Sequence, residues 1–365
     1  MGFSLKVGIV GLPNVGKSTL FNALLKRQVA NVANYPFCTI EPNVGVIEVP
    51  DKRLPVLAKI VNTQTIVPAA IEFYDIAGLV KGASTGEGLG NKFLSYIREV
   101  SVIVHVVRLF EDSNIIHVAN TINPESDIEV IESELILADL GTLSKQAEIR
   151  MNATKEEKAT RAAIDFLIPL LNKGTPVRRV GLTEDQKQSI KHLNLLTSKP
   201  VIIAFNVSEK QLEEKDLTEK RASEYLRNVG ESSHFLLFCA KLETEVLALS
   251  QEEQVEYLKQ YNLTETGLDR LIRTAYHTLS LISFLTAGEK EVRAWTIKKG
   301  TLAPLAAGVI HTDFEKNFIK ADIISYDIFI NVGGWINARE QGVVQTVGRD
   351  YEMRDGDVAE FKTSA

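Results

Sequence analysis

The sequence predicts an α/β protein with a mainly parallel sheet, an inserted antiparallel helical hairpin and a small C-terminal α+β module. In the first hundred residues, apolar runs alternate with helical patterns, as they do in β-α-β units. From Ile128 to about Asn172 the chain is dense in charge and has no strand pattern. After Gly288 the composition changes to short strand patterns with closely spaced turns.

The composition is that of a globular chain. Of the 365 residues, 45% are hydrophobic and 24% are charged, which excludes a disordered tail, a collagen-like rod and a disulfide scaffold. At about 150 residues per domain, the length allows roughly two to three domains. The net charge of -6 argues against nucleic-acid binding by charge over the whole protein, but it leaves room for a local RNA-contacting patch.

Two features of the sequence bear on its compartment. No stretch approaches the roughly 18 apolar residues of a membrane span, and the first residues lack the pattern of a signal peptide. The two cysteines, Cys38 and Cys239, fit a reducing cytosol and argue against metal binding by this pair alone. We therefore expect a cytoplasmic protein with no membrane partner. We also predict a monomer.

The β-α alternation gives the elements of the sheet in order. A helix over Lys17–Lys26 places Leu20, Phe21, Leu24 and Leu25 on one face. Buried strands are predicted at Leu5–Val10, Ala69–Asp75, Val100–Val107, Val201–Asn206 and His234–Cys239.

Between the third and fourth of these strands lies the predicted hairpin. Its first helix carries an apolar stripe from Ile128 to Ala138 that becomes polar at Thr142. The second helix, Glu156–Asn172, is predicted to turn Phe166 and Leu170 inward. The polar half-stripe favours an arm that projects from the sheet over two ordinary packed helices. Its basic residues alternate with acids, which is typical of a solvated face more than of an RNA footprint; they are Lys145, Arg150, Lys155, Lys158 and Arg161.

In the C-terminal module, strands are predicted at Val292–Ile297 and Ala321–Ile330, with one short helix near Leu302–Ile310. Tight turns such as Asp355-Gly356-Asp357 complete about 80 residues of α+β structure.

The segment Gly11-Leu-Pro-Asn-Val-Gly16-Lys17-Ser18 is a complete G-x-x-x-x-G-K-[ST] motif between a predicted strand and a predicted helix. Its glycines let successive N–H groups face a polyphosphate, and the dipole of the helix adds to the attraction. Lys17 is expected to reach the β- and γ-phosphates, and the Ser18 hydroxyl to bind Mg²⁺. A glycine turn with a chance lysine does not explain the strand, turn and helix together.

Two downstream segments supply the groups that such a motif requires. Thr39, on a loop after Pro36, is the candidate second hydroxyl ligand of Mg²⁺, although a threonine there could also cap a turn. Asp75-Ile-Ala-Gly78 follows a buried strand, so the Asp75 carboxylate can hold Mg²⁺ through water and the Gly78 N–H can meet the γ-phosphate. Both loops would be ordered by a triphosphate and released on hydrolysis.

The residue after this D-x-x-G segment breaks the usual pattern. Ras-like GTPases have a glutamine there that orients the attacking water, whereas this sequence has Leu79. His117, in the loop after the next strand, is the nearest candidate, because an imidazole can hold or deprotonate water near neutral pH. A packed structural role for His117, beside Ile116 and Val118, stays open from spacing alone.

The segment expected to read the base is also altered. Guanine-specific proteins use N-K-x-D, but here the strand end reads Asn206-Val207-Ser-Glu209. Val207 replaces the lysine that covers the base, and the longer Glu209 spoils the two-bond geometry to guanine. Adenine could then be held by the Asn206 amide or by backbone. Cys239-Ala-Lys241 stands where a companion S-A-K loop closes over the base, with a buried Cys239 favoured over a redox-active thiol.

Taken together, these residues resemble the YchF/Obg-like ATPase family over nearly the whole chain. The matching strings are GLPNVGKSTLFNAL from Gly11, ANYPFCTIEPN from Ala33, DIAGLVKGAS from Asp75 with GEGLGNKFL, IIHV ending at Val118, NVSE at Asn206, and VRAWTIKKGT with HTDFEKNFIKA near the C-terminus. In the C-terminal part, the polar ending DGDVAEFKTSA and the stretch from Asn331 to Asn337 depart from the family pattern, so partner contact there is less secure than nucleotide binding.

The resemblance implies a P-loop NTPase G domain (1–127 and 200–280), a helical coiled-coil insertion (128–199) and a C-terminal TGS domain of β-grasp type (281–365). It implies ATP as substrate, or ATP and GTP together, and association with the ribosome or ribosomal RNA. It also implies a catalytic histidine at His117. Asn14 matches an asparagine that helps relatives bind a monovalent cation, which adds K⁺ to the expected cofactors.

We therefore predict an Mg²⁺-dependent ATPase that acts as a nucleotide-controlled, ribosome-binding switch. A guanine-specific or dual-specificity GTPase and a ribosome- or protein-binding adaptor with incidental NTPase activity stay as alternatives. A small-molecule kinase is remote, because no acceptor domain is evident. The expected catalytic residues are Lys17 and His117, the expected metal ligands Ser18, Thr39 and Asp75, and the expected nucleotide contacts Asn14, Val15, Gly16, Lys17, Ser18, Thr19, Gly78, Asn206, Val207 and Glu209.

Overall fold

The computed structural model describes residues 5–27, 43–76, 89–112, 122–146, 154–231 and 233–364. Its strands are β1 (Lys6–Val10), β2 (Val44–Glu48), β3 (Ile66–Val67), β4 (Ala70–Asp75), β5 (Val102–Arg108), β6 (Val201–Asn206), β7 (His234–Phe238), β8 (Leu281–Ala287), β9 (Val292–Lys298), β10 (Phe318–Ser325), β11 (Gln345–Val347) and β12 (Asp357–Thr363). Its helices are α1 (Lys17–Leu25), α2 (Arg53–Ile60), α3 (Leu89–Glu99), α4 (Pro124–Leu143), α5 (Lys155–Asn172), α6 (Glu184–Ile190), α7 (Glu209–Glu213), α8 (Lys215–Asn228), α9 (Ala240–Val246), α10 (Gln251–Gln260), α11 (Gly267–Thr278), α12 (Ala303–Ile310), α13 (Thr312–Lys316), α14 (Tyr326–Val332) and α15 (Trp335–Glu340).

The chain forms two compact units. The first, called the sheet unit here, comprises Lys6–Lys26 and Phe73–Leu271. The second, called the C-terminal unit, comprises Met1–Leu5, Arg27–Glu72 and Ile272–Ala365. The predicted bounds of the G domain, the helical insertion and the TGS domain stay predictions.

The sheet unit is built on parallel strands in the order β4-β1-β5-β6-β7. The pairs β1–β5, β5–β6 and β6–β7 are parallel, and the five predicted strands agree with the observed ones to within two residues at each end. Because parallel strands end at the same edge, Asp75, Arg108, Asn206 and Phe238 lie along the edge at which β1 ends. The chain passes from β4 on one side of β1 to β5 on the other, and ligands of open α/β sheets bind at such a switch point.

The predicted helical hairpin is present as α4 and α5, which share a core with α6. The first half of α4 packs against β5 and α8, and Ile128, Ile131 and Leu135 are buried, so the hairpin is rooted on the sheet. The prediction for the inner face of α5 was wrong by one helical position. Phe166 is 47% exposed, and the face turned inward consists of Ala163, Ile164, Leu167 and Leu171, which follow the spacing of three and four residues.

A buried charge network joins the hairpin to the rest of the sheet unit. Arg178, in the turn after α5, donates to the carboxylates of Glu132 on α4 and Glu231 after α8, at 2.5 Å each. Arg179 donates to the same oxygen of Glu231 at 2.9 Å. Burial alone would raise the pKa of Glu231, but the charge of Arg178 and the hydrogen bonds to Ser233 and the two arginines bring it down to about 2. Glu231 is therefore an anion at every physiological pH.

The C-terminal unit contains a sheet in the order β11-β10-β12-β8-β9-β3. Strands β12 and β8 are parallel, and β8–β9, β10–β12 and β10–β11 are antiparallel. One face packs on α12 around Phe284, Ile297, Phe318 and Ala359. The edge strand β3 comes from the N-terminal region and pairs in parallel with β9, and Val292 N–H donates to Thr65 O at 2.9 Å. In the same unit, Val49 N–H donates to Ala69 O at 2.8 Å.

One strand of this module was predicted too long. The apolar run Ala321–Ile330 is strand only as far as Ser325, and Tyr326–Val332 forms α14. A short apolar run does not distinguish a strand from a helix by periodicity. Gly333, at φ 81°, ends the helix in the left-handed conformation that favours glycine.

Candidate functional site

The predicted phosphate loop connects the end of β1 at Val10 to the start of α1 at Lys17. Its last residue, Gly16, has φ 97°, and a Cβ there would lie 2.1 Å from Nδ2 of Asn206. Only glycine meets both conditions. The Leu20 N–H donates to the Gly16 carbonyl at 3.0 Å and so closes the first turn of α1. The sequence thus gives the strand, tight loop and helix start that a polyphosphate cradle requires.

Exposure separates the residues of this loop into two groups. Val15 is fully buried, which fixes the loop to the sheet unit. Asn14, at φ 64°, Ser18 and Thr19 are exposed. The first turn of α1 carries no acidic residue, so the positive end of its dipole is not neutralised from within the helix. The accessible donors therefore lie where an anion would bind.

Lys17 and Asp75, two residues predicted to act on the same phosphate and metal, form an ion pair. The Lys17 ammonium donates to Asp75 Oδ1, and the two side chains are 11% and 19% exposed. Asp75 is the last residue of β4 and Lys17 the first of α1. The pair brings together the two halves of the predicted site, the phosphate-binding lysine and a metal-binding carboxylate.

Asn206 is buried and bonded at both ends of its amide. Its Nδ2 donates to the Val15 carbonyl at 3.0 Å, and its Oδ1 accepts from the Ala240 N–H at 3.1 Å. Asn206 therefore joins the phosphate loop to the segment that begins α9. This geometry favours an organising role over the expected hydrogen bond between its amide and adenine, because each end of the amide already has a protein partner.

The other residues of the altered base segment are placed differently. Val207 is 1% exposed, and its N–H donates to the Phe238 carbonyl at 2.8 Å, which leaves its side chain and N–H unavailable to a base. Glu209 is the first residue of α7 and pairs with Lys241 on α9. Cys239 is buried, and burial raises the pKa of its thiol, as the interpretation of a small core residue implied.

Sequence reasoning missed Arg108, the last residue of β5, which is 1% exposed. Its guanidinium donates to the carbonyls of Phe110 at 2.9 Å and Asp112 at 3.3 Å, and lies 4.4 Å from the Phe110 ring centroid. Leu109 N–H donates to Asn206 O in the neighbouring strand. Arg108 thus fixes the backbone that leaves the sheet at the end of β5. A charged residue at the end of the apolar run VIVHVVR was the available signal.

Several predicted residues lie outside the described ranges: Thr39, Gly78, Leu79 and His117. Their assigned roles stay predictions. Within the described ranges, no group of three or more His, Cys, Asp or Glu residues could hold a metal ion. The described helices also include none that is long and apolar enough to cross a membrane.

Comparison with known proteins identifies the family. Residues 6–131 match a family model described as "50S ribosome-binding GTPase", and residues 281–364 match the YchF-GTPase_C model, described as "Protein of unknown function (DUF933)". The chain is 48% identical to the ribosome-binding ATPase YchF of Bacillus subtilis over 364 residues, 98% of this chain and 99% of that protein. It is also 48% identical to the protein of that name in Escherichia coli O157:H7 over 367 residues, 99% of each chain.

A solved structure supports the same assignment. The Schizosaccharomyces pombe YchF GTPase has 38% sequence identity and a TM-score of 0.86, and the match covers 99% of this chain and 98% of that one. The similarity thus spans the sheet unit, the helical hairpin and the C-terminal unit. The chain belongs to the YchF family of P-loop NTPases, as the motifs at Gly11, Asp75 and Asn206 imply.

Proposed function

We propose that this protein is an Mg²⁺-dependent ATPase that hydrolyses ATP to ADP and phosphate and acts as a nucleotide-controlled switch on the ribosome. The observation that carries the proposal is the pairing of Lys17, at the start of α1, with Asp75, at the end of β4. A lysine that meets phosphate and a carboxylate that meets the metal are needed within one site. The names of the bacterial relatives, ribosome-binding ATPases, support the same function.

The donors present fit magnesium. Mg²⁺ prefers oxygen ligands from one or two protein groups together with substrate phosphates, and the site offers the hydroxyl of the exposed Ser18 and the Asp75 carboxylate. Bound there, the ion would neutralise charge on the phosphates. Lys17 would stabilise the charge that develops on the transferred group, and Thr39 would complete the metal ligands. His117 would position the attacking water, and Gly78 would donate to the γ-phosphate.

Potassium is proposed as a second cofactor. Asn14 is exposed in the phosphate loop, and its side-chain amide oxygen would be the protein ligand of the ion. Replacement of K⁺ by Na⁺ at constant ionic strength should lower turnover several-fold, and Asn14→Ala should remove that difference. Equal rates in both salts would exclude K⁺ as a cofactor.

The preference for ATP over GTP is tested by calorimetric titration of each nucleotide in the presence of Mg²⁺. Lys17→Ala should abolish hydrolysis, whereas Lys26→Ala, which removes an exposed lysine just after the same helix, should leave it unchanged. GTP binding at least tenfold tighter than ATP binding would favour the alternative of a guanine-specific GTPase, the activity by which the S. pombe relative is named. If His117→Ala abolished turnover but left cellular function intact, the adaptor alternative would be favoured.

Ribosome binding and a cytoplasmic location belong to the same proposal. The arm offers exposed Lys145, Lys155 and Lys158, whereas Arg161 pairs with Asp165 at 2.7 Å, as on a solvated face. Cosedimentation with ribosomes over a salt series tests the contact, because binding through phosphates weakens steeply as salt rises. A monomer is expected, which light scattering at several concentrations would check.

A further inference from the structure

The carboxylate at the base-reading position has a cationic partner within the protein. Glu209 lies three residues beyond Asn206, and Lys241 lies two residues beyond Cys239. The Lys241 ammonium is 3.2 Å from both carboxylate oxygens of Glu209. Glu245 Oε1 lies 3.8 Å from the same nitrogen. The Lys241 ammonium thus pairs with two carboxylates.

Further contacts hold this arrangement in place. Tyr257 donates its hydroxyl to Glu245 Oε2 at 2.6 Å, which fixes the second carboxylate. Glu209 begins α7 behind a Ser208 cap, so its backbone is set by a helix start. The hydrogen bond with Glu209, followed by the charges of Glu209 and Glu245, raises the pKa of Lys241. Lys241 therefore stays protonated, and Glu209 keeps its counterion, at neutral pH.

Guanine and adenine differ in what they need from this position. Guanine presents its N1–H and its 2-amino group, and a carboxylate can accept a hydrogen bond from each. Adenine has no 2-amino group and no N1–H. The Asn206 amide nearby is bonded to Val15 and Ala240. When Lys241 holds the Glu209 carboxylate, guanine therefore loses a hydrogen-bond acceptor. Adenine loses no contact, because it has no donor for that acceptor.

We propose that Lys241 is a specificity-determining residue, which disfavours guanine by holding the Glu209 carboxylate as its own counterion. The inference rests on the proposed function, since it assumes that nucleotide binds at this edge of the sheet. Because exposed ion pairs are weak, release of Glu209 changes the preference by only about threefold to fivefold and does not invert a large one.

The test is calorimetric titration of ATP and GTP, with Mg²⁺, into the full-length protein and three variants. Lys241→Met keeps the length of the side chain and removes the charge; it should tighten GTP binding about threefold to fivefold and leave ATP binding within about twofold. In the double variant Lys241→Met, Glu209→Gln, this gain in GTP affinity should disappear. Lys259→Met is the matched control, because it removes an exposed lysine of α10 and leaves Lys241, Glu209 and Glu245 in place; its ratio of ATP to GTP affinity should equal that of the wild type.

A salt series adds an independent measurement. Since the pair is exposed and screened by ions, the wild-type preference should move toward GTP as salt rises, whereas that of Lys241→Met should stay constant. The proposal would be overturned if Lys241→Met changed the affinities for ATP and GTP equally. It would also be overturned if the gain in GTP affinity persisted in the double variant. A wild type that binds neither nucleotide would refute the proposed function itself, whereas normal ATP binding with an unchanged ratio would refute only the role of Lys241.

Discussion

The Asn206 side chain donates to the Val15 carbonyl at 3.0 Å across 191 residues of sequence, and the same amide accepts from the Ala240 N–H. One buried side chain therefore fixes the phosphate loop to the segment that follows β7. Gly16 must be glycine partly because this amide lies where a Cβ would be. The shape of the loop thus depends on a residue that sequence motifs associate with the base.

Asn206→Ala should weaken the binding of ATP and of GTP equally, by about tenfold or more. Two buried hydrogen bonds of about 1 kcal/mol each are lost, and the Val15 carbonyl and Ala240 N–H are left without this partner. Calorimetry measures both affinities. Asn206→Asp is the informative companion, because it keeps the acceptor for Ala240 and loses the donor to Val15. A loss confined to one nucleotide would show that Asn206 contacts the base.

Asp75→Asn should lower the rate of ATP hydrolysis about a hundredfold and raise the Mg²⁺ concentration that gives half-maximal activity. The variant removes the charge that Lys17 now faces and that a metal ion would need. Phosphate release measured over a Mg²⁺ titration gives both quantities, and chelation of the metal should abolish turnover of the wild type. Asp165→Asn, on the exposed side of α5, is the control. Unchanged Mg²⁺ dependence in Asp75→Asn would remove this carboxylate from the metal site.

Glu231→Gln should lower the free energy of unfolding by about 3 kcal/mol at pH 7, since it leaves the buried Arg178 with Glu132 as its remaining carboxylate partner in the described part of the chain. The folded-state pKa of about 2 lies below the ordinary value, so this stabilisation is present above about pH 4.5 and lost as the pH falls toward 2. Urea unfolding at pH 7 and pH 3 measures the difference. Glu184→Gln, in an exposed pair with Lys187, should cost less than about 0.5 kcal/mol.

Local sequence patterns predicted most of the strands and helices of the sheet unit. Contacts between segments that are distant in sequence could not be predicted from these patterns. The phosphate loop was predicted because its motif, strand and helix are contiguous from Lys6 to Leu25. The Asn206–Val15 bond was not, because the motif at Asn206 suggested a base contact. The error at Phe166 arose because several stripes fit one amphipathic helix until its partner is known. The membership of β3 in the C-terminal sheet had no local signal, since two residues form that strand.

The stability of the sheet unit in mild acid should depend on His105, a buried residue of β5. Its Nε2 has no hydrogen-bond partner in the described part of the chain, and Arg178 lies close enough for its charge to act on the ring. Burial, and then the charge of Arg178, lower the pKa of His105 to about 3. Between about pH 6.5 and 3, the His105 ring is therefore neutral in the folded protein. In the unfolded chain, where its pKa is near 6.5, the same ring is protonated over that range.

This difference fixes the direction of the pH effect. Between about pH 6.5 and 3 the unfolded state binds one more proton at this position, so the folded state loses about 2 kcal/mol between about pH 6.5 and 5. His105→Leu should flatten that dependence, and His234→Leu, which removes an exposed histidine of β7, should not. Melting temperatures measured from about pH 7.5 to 5 test this. If the melting temperatures of the wild type and of His105→Leu changed with pH in parallel, the His105 ring would have a partner that keeps its pKa near the ordinary value.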